Sequence, residues 1–511
     1  MAIDRRGPPA WTESERRHFL RCLAASGIIF LIYSIFSTGF LNPDEHFQTV
    51  EYASTKLGIT DTADLPWEYG HRMRSWLQPA IYTGAAKLAA YLGVQRPTTL
   101  LLLFRLLTGL LYWAALWTLI AAGRRWIESE TERRHLYSIA ALLWLLPLLG
   151  VRTSSEAIST AALCFGIALL ERRADEPNHR GSFGIAVLAG VALGLCFGFR
   201  FASGVMAAGA ALWYLRAPER RLSLFLGLVL GAGLALGLNA LADWWGYGTA
   251  VFPAYSYFYQ NFVLGKASEF GTEPFFAYLY LPLNTPMAPL VFFLMLATFL
   301  VWLRRAGSAL TWATAPYVAL LCIAPHKEVR FLFPLAPFLP FFVILALAHE
   351  PPFASRLASA LRNFANTDRL RLGYAWNACG LLSVFFLPLV PEFSLYQRLE
   401  SESYATQGPI EVAFVRAPGT RLYWHSYSHL VFIEPKNLKL KSDPALAELE
   451  AKRSRGERFL TVIYSPQRLP QQAAWLRGSC ALEWSSWPQW LLPYNYFRWQ
   501  DRSHWLELYR C

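Results

Sequence analysis

The sequence contains few charged residues for its length. Charged side chains make up 16% of the 511 residues, whereas hydrophobic side chains make up 54%. A soluble chain usually carries about 25% charged residues, so this composition excludes an ordinary soluble protein. Long apolar runs recur through most of the chain, which indicates a polytopic α-helical membrane protein. The first run follows Arg21 and continues to Phe40 without a small-residue cleavage site, so we expect no cleavable signal peptide.

Motifs for metal ions and nucleotide cofactors are also missing. The sequence has no metal-type spacing of cysteine and histidine, no P-loop and no G-x-G-x-x-G segment. It also lacks a D-x-D triplet, the pattern whose carboxylates hold a metal ion on the diphosphate of a nucleotide sugar. We therefore expect neither a metal site nor a cofactor.

The net charge of +12 comes largely from arginines in short loops between apolar runs. The clusters are Arg124, Arg125, Arg133 and Arg134; Arg172, Arg173 and Arg180; Arg216, Arg220 and Arg221; Arg304 and Arg305; and Arg356, Arg362, Arg369 and Arg371. No RNA- or DNA-binding module accompanies them, so we expect no nucleic-acid partner. Basic loops are typical of the cytoplasmic side. This pattern predicts a cytoplasmic segment over residues 1–21 and external loops over residues 41–99 and 243–286.

About eleven segments are candidates for crossing the membrane, and together they predict a transmembrane domain over residues 22–390. They are Cys22–Phe40, Leu100–Ala122, Leu136–Gly150, Ala157–Leu170, Phe183–Gly198, Phe201–Leu215, Leu222–Leu241, Met287–Leu303, Leu310–Ala324, Phe331–Leu347 and Leu372–Leu389. If the apolar segment Pro79–Leu92 crossed the membrane, the arginine-rich loop Arg124–Arg134 would lie on the external side. We interpret this segment as a re-entrant or interfacial helix within the first external loop. The alternative is that it crosses and the charge rule fails once.

The composition changes in the last part of the chain. Residues 391–511 combine strand patterns, such as Arg421–Glu434 and Arg458–Tyr464, with a helical pattern around Ala445–Lys452. A segment of this size can bury a core of its own, so it predicts a small soluble α/β domain. An odd number of membrane crossings would place this domain on the extracytoplasmic side.

Two cysteines lie outside the apolar runs, namely Cys480 and Cys511. Disulfides form in oxidising compartments outside the cytoplasm, so we predict a bridge between them. Two free thiols are the alternative, because the sequence does not show how far apart the two residues lie.

Polar residues collect in the loops that the arginine pattern assigns to the external side. The first loop contains Asn42-Pro43-Asp44-Glu45, with two adjacent carboxylates where an enzyme acting on a lipid-linked substrate would need a base. Helix capping explains the same residues, because Asn42 suits an N-cap and the two carboxylates suit a positive helix end. The aromatic residues of these loops fit an interfacial belt, and Lys327 could simply extend from a helix end.

Four sequence blocks, in one order along residues 41–335, match the motifs of a known enzyme family. Asn42–Glu45 is similar to H-P-D-E with Asn in place of His, and His326–Phe331 matches H-K-E-x-R-F in full. Pro66–Tyr69 with Arg74–Pro79 is similar to T-W-E-W…R-S-Y-L-x-P. Arg152–Glu156 is similar to R-T-x-S-N…E. The chain thus resembles family-22 glycosyltransferases of the GT-C superfamily, the lumenal mannosyltransferases of GPI-anchor and N-glycan assembly.

This resemblance implies a GT-C fold and a metal-independent, inverting transfer of mannose. The donor would be a polyprenyl-phosphate mannose and the acceptor a lipid-linked glycan. Asp44 would be the catalytic base that takes the proton of the acceptor hydroxyl, and Glu45 would position a substrate. Cations would stabilise the leaving lipid phosphate in place of a metal. Candidate catalytic residues are thus Asp44 and Glu45; candidate substrate-binding residues are Gln48, Trp67, Glu68, Arg74, Arg152, Glu156, His326, Lys327 and Arg330.

Other interpretations remain open at the level of sequence. A GT-C enzyme for a pentose or another hexose would use the same residues. A transporter would be expected to carry ionisable groups at mid-bilayer, broken helices or paired repeats. Arginine far outnumbers lysine and no N-glycosylation site is present, which favours a bacterial inner membrane with a periplasmic site. An endoplasmic reticulum membrane is the alternative. The expected partners are the donor, the acceptor and membrane lipid, and the sequence does not specify an oligomeric state.

Overall fold

A computed structural model describes residues 9–94, 96–175, 179–216, 221–348, 368–385, 389–405, 408–416, 438–488, 490 and 505–511. Over these residues the chain forms a helical bundle followed by a mixed β-sheet. The bundle helices are α1 Glu13–Phe36, α2 Glu51–Thr55, α3 Trp67–Gly70, α4 Leu77–Tyr91, α5 Pro97–Gly123, α6 Glu130–Leu142, α7 Leu145–Gly150, α8 Ser155–Asp175, α9 His179–Phe199, α10 Gly204–Leu215, α11 Arg221–Tyr247, α12 Pro253–Phe258, α13 Ala288–Arg304, α14 Ala309–Ile323, α15 Leu339–Leu347 and α16 Asp368–Ser383.

Several bundle helices are long and apolar enough to cross a membrane. Within the described part of the chain there are five, and a sixth if α13 and α14, which meet at 115°, count as one bent span. The five are α1, α5, most of α9, α11 and the segment Val329–Leu347. Every segment predicted to cross contains a helix. The number of about eleven crossings stays a prediction, because the remaining helices are shorter or more polar.

Two predicted spans differ from the expected continuous helices. Leu136–Gly150 is broken between α6 and α7. Pro147 explains the break, because a proline ring clashes with the carbonyl four residues earlier, which is that of Leu143. Phe331–Leu347 begins as a 3-10 helix that contains Pro334 and Pro337, and only its second half is α15. Helix α4 confirms the helical prediction for residues 79–92. Its 15 residues are fewer than the roughly 20 that a perpendicular crossing needs.

Helices α9 and α11 approach each other closely through small residues. A Cβ atom added at Gly231 would collide with the carbonyl oxygen of Val187, and one added at Gly190 would collide with that of Leu228. Glycines spaced four apart, such as Gly227 and Gly231, allow this backbone contact in membrane helices. The α9–α11 pair therefore forms a rigid side of the bundle.

The end of the bundle opposite the first loop is closed by a buried ion cluster. The Glu15 side chain is fully buried and accepts hydrogen bonds from Arg124 at 3.1 Å, Arg133 at 2.9 Å and the Tyr137 hydroxyl at 2.7 Å. Two arginines from the basic loops thus neutralise a carboxylate inside the protein. The membrane orientation predicted from the arginine pattern therefore depends on the other basic residues of these loops.

The C-terminal part is a five-stranded mixed sheet with helices on both faces. Its elements are α17 Pro391–Ala405, β1 Ile410–Arg416, β2 Leu438–Ser442, α18 Leu446–Ser454, β3 Phe459–Tyr464, α19 Pro470–Ser479, β4 Ala481–Ser485 and β5 Leu506–Arg510. The strand order is β2-β1-β3-β5-β4, with β1 parallel to β2 and β3, and β5 antiparallel to β3 and β4. This confirms the predicted α/β character, the strand ending at Tyr464 and the helix near residues 445–452. The predicted strand Arg421–Glu434 lies outside the described residues.

Alternating side chains of the sheet enter two separate cores. Val412 and Phe414 of β1 join a core with α17 and with helices of the first external loop. Ala413 and Val415 face the opposite side, where α18 and α19 pack. A disulfide joins Cys480 to Cys511, as predicted from their position outside the apolar runs.

Helix α17 also contacts the start of α5 through polar groups. The Thr98 hydroxyl donates to the Glu400 carboxylate, and the Arg96 guanidinium lies 4.2 Å from the centre of the Tyr404 ring. The C-terminal part is therefore packed on the first loop, and the domain boundary near residue 390 stays a prediction.

Candidate active site

The loop after α1 carries Asp44 in the first turn of a helical segment. The backbone N–H of Asp44 donates to Asn42 Oδ1 at 3.0 Å, which is the predicted capping bond. The chain continues as a π-helix over His46–Val50 and then as α2. π-helical turns are rare in proteins, and those that occur are often found at functional sites.

The Asp44 carboxylate forms an ion pair with the last membrane connector. Its Oδ2 lies 2.7 Å from Arg330 Nη1, and about a third of the side chain (32%) is exposed. Burial alone would raise the pKa of this carboxyl, but the guanidinium groups of Arg330 and Arg74 and a hydrogen bond from Gln48 outweigh burial and hold the pKa below its usual range. Asp44 is therefore ionised at neutral pH and open to a ligand.

Asn42 and Glu328 complete the surroundings of this ion pair. Arg330 donates to Asn42 Oδ1 at 2.7 Å and to Glu328 Oε1 at 2.8 Å, and Asn42 Nδ2 donates to Glu328 Oε2 at 3.0 Å. Glu328 also accepts from His326 at 3.0 Å. These bonds fix the guanidinium of Arg330 beside Asp44 from three directions.

Two further arginine–glutamate pairs lie around Asp44. Arg74 Nη2 is 2.6 Å from Glu68 Oε1, and Gln48 donates to both Glu68 oxygens at 3.1 and 3.0 Å. Arg200 Nη1 is 2.9 Å from Glu156 Oε1. Burial opposes the charge of Arg74, but Glu68, Tyr257 and Asp44 outweigh it and raise the pKa of the guanidinium above its ordinary value. Arg74 is thus charged at neutral pH, and both guanidinium groups are held in place by a carboxylate.

Glu45 differs from its neighbour in being buried. Its Oε1 accepts from the Leu41 N–H at 3.1 Å, and its Oε2 has no hydrogen-bond partner. Burial raises the pKa of Glu45 to about 7; the charge of Arg152 opposes the shift and that of Glu156 adds to it. The two adjacent carboxylates therefore differ in protonation at neutral pH, as their different surroundings require.

The remaining predicted residues occupy the edge of this cluster. Lys327 Nζ is buried and donates to the carbonyls of Glu273 at 3.0 Å and Ala324 at 2.5 Å. Arg152 is fully buried and donates to the carbonyls of Ser37 and Gly39, which fixes the start of the first external loop. Trp67 is partly exposed and stacks on Phe270 with ring centres 6.0 Å apart.

Within the described residues, no group of three or more His, Cys, Asp or Glu side chains is arranged to hold a metal ion. The arrangement around Asp44 is chemically specific without one. It offers an ionised carboxylate to a hydroxyl group and several fixed cations to an anion, all on one side of the bundle.

Comparisons with known proteins agree with this chemistry. The model of the Alg9-like mannosyltransferase family matches residues 22–402, about three quarters of the sequence. The chain belongs to the Alg9-like mannosyltransferase family. It is therefore an integral membrane enzyme and a glycosyltransferase.

Individual relatives of this mannosyltransferase are distant. Mannosyltransferase APTG1 of Arabidopsis thaliana is 22% identical over 412 residues, which cover 76% of this chain and 70% of that protein. GPI mannosyltransferase 3 of Yarrowia lipolytica is 25% identical over 316 residues, covering 61% of this chain and 59% of that protein. The crystal structure of ArnT from Cupriavidus metallidurans bound to undecaprenyl phosphate aligns over 96% of this chain and 97% of that one, with 13% identity and a TM-score of 0.49.

Sequence reasoning missed two residues of the candidate site. Glu328 was visible inside the H-K-E-x-R-F block, but only the structure shows that it joins Asn42, His326 and Arg330. Arg200 was passed over as a turn residue. Its signal was its position, since it is a single arginine between two phenylalanines on the side where basic residues are scarce.

A cavity lies between these groups and the second external loop. Its lining includes the side chains of Arg74, Arg200 and Gln48, and the space within it that water can enter is about 40 Å³. Tyr257, from α12 in the second external loop, covers one side, with its ring centre 5.4 Å from the Arg74 guanidinium. The mannosyltransferase thus has a small cavity beside Gln48, with two guanidinium groups in its wall.

Proposed function

We propose that this mannosyltransferase moves mannose from a polyprenyl-phosphate mannose to a hydroxyl group of a lipid-linked glycan, with inversion at the anomeric carbon, on the extracytoplasmic side of the membrane. The observation that carries the proposal is the Asp44 carboxylate. It is partly exposed, ionised and held by arginine side chains. A sugar hydroxyl is a poor nucleophile, so a fixed carboxylate within hydrogen-bond reach is what this reaction requires.

In the proposed reaction Asp44 takes the proton of the acceptor hydroxyl while that oxygen attacks the anomeric carbon. The bond between this carbon and the phosphate oxygen breaks, and its electron pair leaves with the lipid phosphate. Protonation of Asp44 removes the negative charge that holds Arg330 at 2.7 Å. The guanidinium then becomes available to the leaving phosphate at the moment when its negative charge grows.

Other residues support this step from a distance. Glu45 accepts a hydrogen bond from Leu41 and so shapes the loop that presents Asp44. A direct action of Lys327 on the leaving phosphate stays a prediction, because the ammonium group would first have to leave the two carbonyls that it contacts. His326 acts through Glu328, which it contacts at 3.0 Å.

The names of two relatives support a glycolipid acceptor, since GPI mannosyltransferase 3 of Yarrowia lipolytica and of Gibberella zeae are 25% identical to this chain over their matched segments. We place the enzyme in a bacterial inner membrane with the site in the periplasm, on the basis of its arginine-rich loops and lack of glycosylation sites. In a eukaryotic cell the same orientation would place the site in the lumen of the endoplasmic reticulum.

The test is the Asp44→Asn variant, assayed as purified protein with synthetic polyprenyl-phosphate mannose and an acceptor glycolipid. The amide keeps the shape of the side chain but cannot accept a proton. We expect normal folding and a transfer rate lowered by at least ~10²-fold.

Asp61→Asn is the matched control. Asp61 lies on the same loop, where it accepts from the Ala63 N–H at 3.0 Å and only caps a short helix. We expect this variant to keep its activity and to lose at most about 1 kcal/mol of stability. An Asp44→Asn enzyme that transfers mannose at the normal rate would contradict the mechanism. If the enzyme transfers a pentose from a polyprenyl-phosphate pentose but no mannose from the mannose donor, the transferred sugar is a pentose.

A further inference from the structure

Arg200 is a partly buried cation that lies outside the family motifs, and 12% of its side chain is exposed. It lies at the turn between α9 and α10. Besides the ion pair with Glu156, its Nη1 donates to the Ser155 hydroxyl at 3.2 Å, and its guanidinium stacks against the Phe331 ring at 5.4 Å. The Arg330 guanidinium also lies 5.3 Å from the centre of the Phe331 ring. Arg200 therefore belongs to the same charged cluster as the Asp44–Arg330 pair.

The cavity beside Gln48 brings Arg200 and Arg74 together. Both line it, and the Nε–H group of each is buried without a hydrogen-bond partner. The carboxylates of Glu156 and Glu68 hold the two guanidinium groups but leave these donors unused. Guanidinium groups bind phosphate and carboxylate oxygens through several N–H donors at once. Two guanidinium groups in the wall of one cavity therefore suit an anionic group.

The other walls of the cavity show which anionic group fits. Phe199, Phe201, Ala202 and Tyr257 line it together with the polar side chains. Next to Tyr257, the side chains of Tyr255, Phe258 and Phe262 are exposed on the outside of the second external loop. Apolar side chains thus form a path from the outside of this loop to the two arginines.

The position of this path distinguishes the two substrates. In a polyprenyl-phosphate sugar the hydrocarbon chain begins at the phosphate, one bond from the reacting sugar. In a lipid-linked glycan the sugars separate the lipid from the reacting hydroxyl. Apolar walls directly beside the cations and the Asp44–Gln48 contact therefore fit the donor.

We propose that Arg200, together with Arg74, binds the phosphate group of the polyprenyl-phosphate donor in this cavity, with the first isoprene units along Phe201 and Tyr257. This inference rests on the proposed function for the identity of the donor, but the phosphate and chain binding can be measured without sugar transfer.

The experiment measures binding of polyprenyl monophosphate, which has the phosphate and the chain but no sugar, and the donor and acceptor KM values of mannose transfer. We expect Arg200→Met to weaken polyprenyl monophosphate binding and to raise the donor KM by roughly 10-fold or more, as loss of a charge-assisted contact does. The acceptor KM should stay unchanged, and Arg200→Lys should be intermediate because it keeps the charge and loses the fork of donors.

Two further variants separate binding from folding. Arg200→Met leaves Glu156 unpaired in a buried place, so the double variant Arg200→Met with Glu156→Gln removes both charges and should show the same loss of binding. Arg125→Met is the matched control, because Arg125 pairs with Glu171 at the other end of α8, at 3.3 Å and with similar exposure (11% and 5%, against 12% and 6% for Arg200 and Glu156). It should leave the donor KM and polyprenyl monophosphate binding as in the wild type.

The outcomes distinguish this inference from the proposed function. If polyprenyl monophosphate binding depends on Arg200 but the enzyme transfers no mannose, the proposed phosphate site is supported and the proposed donor sugar is wrong. If Arg200→Met transfers mannose normally, with an unchanged donor KM and unchanged polyprenyl monophosphate binding, the proposed phosphate site is wrong and the proposed function is unaffected. A change in the acceptor KM alone, or equal binding of uncharged polyprenol and polyprenyl monophosphate by the wild type, would also overturn the proposed phosphate site.

Discussion

Asn42 holds both partners of the Asp44–Arg330 ion pair. Its Oδ1 accepts from the Asp44 N–H and from the Arg330 guanidinium, at 3.0 and 2.7 Å. Asn42 thus satisfies the helix start, and the Asp44 carboxylate is left for another task. The position at which this chain departs from the H-P-D-E motif is therefore in direct contact with the proposed base and its counter-ion.

Glu45 gives a pH dependence to stability. Its pKa is about 7 in the folded protein against 4.5 for an exposed glutamate, because burial disfavours the charged form. The folded chain then holds more protons than the unfolded chain between these values, so stability falls as the pH rises through this window and is constant above it. The full effect amounts to roughly 3 kcal/mol.

The free energy of unfolding in detergent should therefore fall between pH 5 and pH 8 in the wild type. We expect this fall to be absent in Glu45→Gln. Glu13→Gln, which removes an exposed carboxylate, is the control and should keep the decrease. An unchanged pH profile in Glu45→Gln would show that the buried carboxyl is not its source.

At the scale of elements, the contact between α9 and α11 depends on single glycines. We expect Gly231→Val to destabilise the protein by several kcal/mol, because the added carbons would meet the Val187 carbonyl oxygen and force the two helices apart. Gly233→Val is the matched control, since nothing lies within 4 Å of a Cβ at that position. Thermal unfolding in detergent compares the two variants, and equal losses would show that helix propensity rather than close approach is responsible.

The apolar runs predicted where most bundle helices lie, because burial in lipid needs a long run of apolar residues whatever the tertiary contacts. The breaks were harder to predict. Pro147 is one residue in an otherwise continuous apolar run, and its effect on Leu143 depends on whether neighbouring helices restore the lost hydrogen bond. The strand ending at Tyr464 was visible from its apolar residues, whereas the strand order depends on contacts far apart in sequence.

The candidate site was predictable where its residues form short blocks. Asp44, Glu68 and Arg330 were found in this way, and the structure brings each of them near the same cavity or ion pair. Arg200 was missed because its partner Glu156 lies in another block and a single arginine at a turn has an ordinary explanation in membrane proteins. Only the folded distance of 2.9 Å shows that the two belong together.

At the scale of the whole molecule, the C-terminal sheet contributes to the site loop. Phe393 of α17 lies 5.5 Å from the Phe40 ring and 5.7 Å from the His46 ring, with the ring planes nearly perpendicular. The Cys480–Cys511 disulfide in the same C-terminal part fits the predicted oxidising, extracytoplasmic location of residues 391–511. The first loop and the last residues of the chain are thus one structural unit.

We expect Phe393→Ala to cost about 3–5 kcal/mol of stability and to lower mannose transfer even where the protein is folded, because the aromatic support of the Asp44 loop is lost. Phe459→Ala is the control, since Phe459 is buried in the core on the opposite face of the sheet. It should cost similar stability and leave the transfer rate of the folded enzyme unchanged. Equal activity losses in both variants would mean that the sheet acts only through overall stability.

The contact between Phe393 and His46 also has a consequence for how the enzyme is made. Membrane proteins are inserted as they are synthesised, so the loop with Asp44 emerges from the insertion machinery long before α17 and the sheet. Until strand β5, Leu506–Arg510, has been synthesised and paired, the apolar surface of Val50, Tyr82 and Leu101 lacks part of its cover. The nascent chain therefore carries the candidate site without this support, and we expect mannose transfer only after β5 has paired with β3.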